Sequence, residues 1–280
     1  MSRQYPTMDA EDLGESGDEE CRCVMKLEVL EKDDNKLRFT LEGSSNNFLN
    51  TIRRVSVSEV PVMAIEEVAF TKNSSVLYNE IIAHRLGLVP LRTDLKTYKL
   101  PNECKCGGKG CNACSLKLSL NAKGPKVVTA GELKSKDPKV VPAIEGLPIT
   151  KLNENQEIKF NATANLGVGK DHSKFVPCLF VFNNYPELKV IGKGAKKCID
   201  VCPKRILEMK GDKVIITNPS KCDLCKACVE ACPNDLELRN IDGKYIGYIE
   251  SWGHLEPKEI LLESVKVLNK KLKEFVKALK

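Results

Sequence analysis

The chain has 280 residues, 42% of them hydrophobic, which is enough for roughly one to three domains with packed cores. No stretch approaches the roughly 18 unbroken apolar residues of a membrane-spanning helix and the N-terminus lacks a signal-peptide pattern, so a cytoplasmic protein with no membrane partner is expected. The net charge of +6 comes from dispersed lysines and supports no specific DNA contact, while 13 cysteines in a chain of this kind point to metal rather than to a secreted disulfide scaffold.

Residues 1–23 contain the run "MDAEDLGESGDEE", acidic and without aromatics, which predicts a disordered extension. Cys21 and Cys23 sit at its edge, and two ligands alone cannot close a tetrahedral site. "CRCVMKLEVLEKDDNKLRFTLEG" alternates apolar and polar residues on both sides of Asp33-Asp34-Asn35, the pattern of a β-hairpin. In "SSNNFLNTIRRVSVSEVP" a Ser or Asn can cap a helix that carries Phe48, Ile52 and Val55 on one face and is stopped by Pro61. From Pro61 to about Val190 short strands predominate, and Cys178 in the last of them reads as a buried apolar residue.

Within that strand-rich stretch, "ECKCGGKGCNACS" places Cys104, Cys106, Cys111 and Cys114 as C-x-C-x₄-C-x₂-C. Four soft ligands in so short a loop suit a tetrahedral zinc, and Gly107, Gly108 and Gly110 allow the chain to turn around an ion. Four cysteines leave no open coordination position, so such a zinc is structural; the alternative is a metal-free loop.

Further on, "KCDLCKACVEACPN" has the spacing C-x₂-C-x₂-C-x₃-C-P by which a bacterial-type ferredoxin holds iron and sulfide. In that arrangement three cysteines serve one cluster and the fourth reaches the other, so the motif normally comes twice. The upstream copy, "GKGAKKCIDVCP", is half erased: Cys198 and Cys202 remain, but Gly192 and Ala195 stand where two cysteines belong. One cluster site is therefore complete, with Cys202, Cys222, Cys225 and Cys228. It is read as [4Fe–4S], with [3Fe–4S] the alternative if a thiolate is displaced or an iron lost. Cys198 and Cys232 face the vacated site as a disulfide or as free thiols.

The chain closes with the strand and turn "YIGYIESWGHLEP" and a long helix starting near Pro257, on which Leu261, Val265, Leu268, Leu272, Phe275 and Leu279 form a heptad-like seam. Such a seam suits a partner helix, and periodicity alone fits equally an amphipathic helix on its own sheet. "GVGKDH" lacks the spacing of a phosphate-binding loop, His84, His172 and His254 are isolated in sequence, and no nucleophile elbow is present, so no catalytic residues are expected.

"NNFLNTIRRVSVSEVPVMAIEEVAF" and "NEIIAHRLGLVPL" resemble the most recognisable stretches of the α-type RNA polymerase subunits, a family made up of bacterial α and its archaeal and eukaryotic counterparts. "FNATANLGVGKDHSKFVPC" and "YIESWGHLEPKEILLESVKVLNKKL" resemble two more, so the likeness runs from about residue 24 to the end, and a ferredoxin-like insertion marks the archaeal branch. The cysteine loop departs from the family, having a four-residue gap where its zinc-binding members are expected to have three. The resemblance implies an α+β fold with a split dimerisation domain (24–60 and 240–280), a strand-rich insertion (61–190) and a ferredoxin-like iron–sulfur domain (191–239). It implies a heterodimer with a small subunit of the archaeal L type, formed by the first and last helices, on which the large catalytic subunits of this nucleotidyltransferase assemble. Phe48, Ile52 and the seam would face the small partner, and Arg53 and Arg54 a large subunit. The competing reading, a ferredoxin-like electron carrier, lacks a second cluster or a flavin or nicotinamide signature.

Overall fold

The computed structural model describes residues 25–192, 198–211 and 213–279. The acidic extension with Cys21 and Cys23, and Ala195 of the half-erased repeat, lie outside the described residues.

The chain begins with β1 (Lys26–Lys32) and β2 (Lys36–Glu42), an antiparallel hairpin whose turn is closed by the Asp33 amide donating to the Lys36 carbonyl at 2.8 Å. Helix α1 (Asn46–Ser58) starts where the Ser45 hydroxyl accepts from the Phe48 amide at 3.2 Å, satisfying one of the amides that a helix start leaves without a partner. Then come β3 (Val62–Asn73), α2 (Asn79–Gly87), β4 (Ser115–Lys123), β5 (Lys126–Thr129), β6 (Lys134–Ser135), β7 (Pro148–Leu152) and β8 (Glu157–Gly167). The last third holds β9 (Cys178–Val190), β10 (Leu207–Lys210), β11 (Lys213–Ile216), the short helix α3 (Ala227–Ala231), β12 (Leu236–Ser251) and α4 (Pro257–Ala278). Pro257 occupies the first turn of α4, where its missing N–H costs nothing.

Two four-stranded sheets carry the architecture, one in the order β1-β2-β12-β9 and the other β3-β8-β4-β6; β5–β7 and β10–β11 are separate two-stranded pairs. On the first sheet Leu37, Phe39, Leu41, Phe180, Tyr245 and Ile249 turn to one face and pack under Leu49 and Ile52 of α1 and Ile260 of α4. The second sheet builds the largest core, in which Leu116, Leu118 and Leu120 of β4 meet Ile158 and Phe160 of β8 and Ile82 and Leu86 of α2. The start of β3 serves both: Val62 and Ala64 point into the first core, Met63 and Ile65 into the second.

The boundaries differ from the sequence expectation at three places. β9, assigned above to the insertion over 61–190, pairs with β12 from Cys178↔Ser251 to Val190↔Leu236 and so belongs to the first sheet. The boundary between 239 and 240 falls inside β12, whose first residues extend into the cysteine-rich region before a register shift between Ile241 and Tyr245. Alternation reveals a strand but not its neighbour in the sheet, which explains both. The third is α2, in a stretch read as strands: the helix has nine residues and only Ile82 and Leu86 are buried, too little for a clear helical period.

Candidate metal centres and an open helix face

The four cysteines of the 104–114 loop converge. The Cys104 sulfur lies 3.5 Å from those of Cys106 and Cys111, Cys106 lies 3.5 Å from Cys114, and Cys111 and Cys114 are 3.8 Å apart. A zinc with bonds of about 2.3 Å to a tetrahedron of sulfurs separates them by about 3.8 Å, so the spacing fits a single ion. Gly107, Gly108 and Gly110 have φ of 62°, 81° and 82°, in the left-handed region where a side chain would strain the turn. The backbone amide of Cys111 and the thiol of Cys104 draw the Cys106 thiol down to about 6, while burial pushes Cys114 up to about 12.

Cys202, Cys222, Cys225 and Cys228 line one small pocket together with apolar side chains including Leu188, Leu207, Ile216 and Leu238. Their sulfurs are more widely spaced: among the described residues, the 104–114 loop is the one metal-ligand group whose donor atoms all lie within 4.8 Å of one another. Wider spacing around an apolar pocket suits a cluster of several atoms better than a lone ion. Burial, reinforced by the other three cysteines, raises the Cys228 thiol; burial also raises Cys222, with Cys225 and Cys202 contributing. Leu224 and Lys226, at φ 55° and 61°, bracket Cys225 and wrap the chain around the cavity, and Cys228 sits in α3.

The partly erased repeat has a structural counterpart. Cys198 and Cys232 are joined as a disulfide with Cα atoms 6.1 Å apart and form a small core with Leu207, Val214 and Leu236. A β-carbon on Gly192 would fall 1.9 Å from Oδ1 of Asp235 and 3.1 Å from the Asn234 carbonyl oxygen, so the place of one missing cysteine is taken up by the chain itself.

The seam on α4 divides in two. Leu261 and Leu268 are half-buried against the first sheet's core, whereas Val265 (42%), Leu272 (52%), Phe275 (62%) and Leu279 (71%) are exposed. β1, at the edge of that sheet, exposes Leu27, Val29 and Leu30 as well. Phe48 is at the border of exposure, but Ile52 is 5% exposed and lies in the chain's own core, which corrects the outward-facing expectation for it. Arg54 is exposed, and Arg53 donates to Asn50 Oδ1 at 2.9 and 3.1 Å. Of the histidines, His84 and His172 are exposed, and His254 is buried with Nδ1 3.1 Å from the Leu91 carbonyl. Sequence reasoning missed His254 as a joint between the two sheet domains, because its partner lies 163 residues away. No helix among the described residues is long and apolar enough to cross a membrane.

Residues 65–177 match the RNA polymerase Rpb3/RpoA insert domain, and residues 193–236 match the 4Fe-4S dicluster domain. The first match ends where β9 begins, in agreement with the sheet pairing. Fold and sites together define a class: a polymerase-type subunit with an insert domain and an iron–sulfur domain. The DNA-directed RNA polymerase subunit Rpo3 of Archaeoglobus fulgidus is 37% identical over 255 residues, 90% of this chain and 97% of the relative. Proteins of the same name from Methanosphaera stadtmanae (34%; 88% and 96% covered) and Methanosarcina acetivorans (36%; 90% and 97%) match as fully. The chain belongs to the family of DNA-directed RNA polymerase subunit Rpo3. These relatives are archaeal, as the ferredoxin-like insertion implied, and an electron-carrier reading is not favoured.

Proposed function

We propose that this chain is a non-catalytic assembly subunit of a cytoplasmic DNA-directed RNA polymerase, the larger half of a heterodimer with a small subunit of the archaeal L type. The observation that carries this reading is the uncovered apolar surface: Leu272, Phe275, Val276 and Leu279 at the end of α4, together with β1, in a chain that matches Rpo3 proteins over nearly its full length. The heterodimer is then the platform for the large catalytic subunits, with Arg53 and Arg54 turned to one of them. Residues 25–60 and 178–190 with 236–279 make up the dimerisation domain.

The same reading assigns one [4Fe–4S] cluster to Cys202, Cys222, Cys225 and Cys228, with [3Fe–4S] as the form left when one iron is lost, and one structural zinc to Cys104, Cys106, Cys111 and Cys114. The donor sets fit both groups, four thiolates in each. Bound, a cluster supplies four iron–thiolate tethers and a one-electron redox centre. This chain's own part is to gather the cysteines and shield them with Leu188, Leu207 and Leu238. The disulfide and the packing behind Gly192 support a count of one cluster.

Replacing Leu272 and Phe275 by Asp tests the interface. An unpaired charge in an apolar contact costs several kcal/mol, about 3 or more, so the small subunit is expected to be lost in co-purification with the iron content unchanged. Undiminished co-elution of the double variant would disprove the assignment.

A further inference from the structure

The first sheet has a second face, away from α1 and α4. Arg38 and Thr40 of β2, Val181 and Asn183 of β9, and Ile246 and Tyr248 of β12 share it, because the register sets Tyr248 opposite both Arg38 and Val181 and Ile246 opposite both Thr40 and Asn183. Over this face lies the 3-10 turn Pro219–Lys221, which delivers Cys222. A cavity of about 240 Å³ lies between turn and sheet, with Arg38, Asn183 and Tyr248 on one side and Ser220, Cys222 and Asp223 on the other.

One side chain crosses the gap. An Nη of Arg38 donates to the carbonyl of Ser220, two residues ahead of Cys222. Within the turn the Ser220 hydroxyl donates to Asn218 Oδ1 at 2.5 Å and the Cys222 amide to the Pro219 carbonyl at 3.1 Å, while Thr217 bonded to Ile206 and Asp223 paired with Lys204 tie its two ends to the cysteine-rich region and not to the sheet. Arg38 is half-buried, and its Nε is buried without a protein hydrogen-bond partner among the described residues. A charge held that way is spent on position.

We propose that Arg38 is a positioning residue that seats the Cys222 turn on the dimerisation sheet, and through which retention of the cluster and rigidity of β2 are coupled. The inference rests on the assignment of the four cysteines to a cluster. By linkage the coupling is reciprocal: whatever docking adds to cluster retention, the cluster adds to docking. Leu37, Phe39 and Leu41, which alternate with Arg38 along β2, pack under α1 and α4, so a change at the turn has a short mechanical route to the helix face proposed for the partner.

The test uses the full chain with its small partner, purified anaerobically, as wild type, Arg38→Leu and Arg38→Lys. Iron release to a ferrous chelator should be roughly tenfold or more faster in Arg38→Leu, the range of one charge-assisted hydrogen bond, and intermediate in Arg38→Lys. Zinc content should not change, which separates loss of positioning from misfolding. Removing iron from the wild type should raise amide exchange at residues 37–41, and the same treatment of Arg38→Leu should add little. Should Arg38→Leu not fold, Arg38→Lys and the wild-type exchange comparison carry the test. Equal release rates, or exchange in β2 indifferent to iron in the wild type, would overturn the coupling while leaving the cluster assignment intact. A wild type that holds no iron would overturn both.

Discussion

The two cysteine sites rest on unequal foundations. The 104–114 loop closes on itself with its sulfurs already in contact, and it grows out of a domain with 22 buried core residues. The cluster cysteines are collected from 202 to 228 around a pocket, in a region where the buried hydrophobic residues, among the described residues, number six, two of them the disulfide. A domain so small rarely buries enough apolar surface to offset its chain entropy. On the proposed assignment the same ligand chemistry has different structural weight: zinc would fix a loop on a folded domain, and the cluster would hold its domain together.

The largest expected effect follows directly. Serine at Cys222 or Cys228 should release the iron and unfold residues 198–239 locally, seen as a collapse of amide-exchange protection there. Serine at Cys111 and Cys114 should release about one zinc and increase cleavage only near residues 100–115, because β4 and β8 keep their own ladder and core. Proteolysis of the whole insertion domain in the second variant would break the comparison.

Next in size, Phe160→Ala should lower global stability by about 3–5 kcal/mol in denaturant titration with the iron content unchanged, since Phe160 is 1% exposed in the large core. An equal loss of iron would mean that the domains do not stand apart energetically.

The joint between the two sheet domains gives a pH signature. Burial holds His254 down at about 4 against an ordinary 6.5, with the Leu91 carbonyl opposing the shift. The unfolded chain therefore takes up a proton near 6.5 and the folded one only near 4, so this stability is complete above pH 6.5 and is lost as the pH falls towards 4. The loss amounts to about 3 kcal/mol. His254→Gln should flatten the profile between those values relative to the wild type, and parallel profiles would remove His254 from the joint. Smallest of all, Lys270→Ala breaks an exposed 2.5 Å ion pair between α4 and Glu103, next to the cysteine loop, and should change stability by less than about 1 kcal/mol. A larger change would tie the loop to the helix more firmly than the comparison allows.

What could be read from the sequence was local. The hairpin at Asp33, the Ser/Asn cap of α1, the start of α4 at Pro257, the 104–114 cysteines and the 222–228 run declare themselves within a few residues, because turn chemistry, capping and ligand spacing are short-range. What escaped was long-range. The membership of β9 in the first sheet, the burial of Ile52, the division of the α4 seam and the reach of Arg38 to Ser220, 182 residues away, depend on which surfaces meet. Periodicity marks a side chain as face-forming and does not tell own core from partner, as Leu268 and Leu272 show, one half-buried and the other exposed on the same seam.

The most direct measurement counts metal per chain, by native mass spectrometry of the anaerobically purified complex with its small partner. The account predicts about four irons and about one zinc on a one-to-one heterodimer, with the iron lost and the zinc kept when Cys202 is replaced by Ser. About eight irons, or full iron in Cys202→Ser, would contradict it.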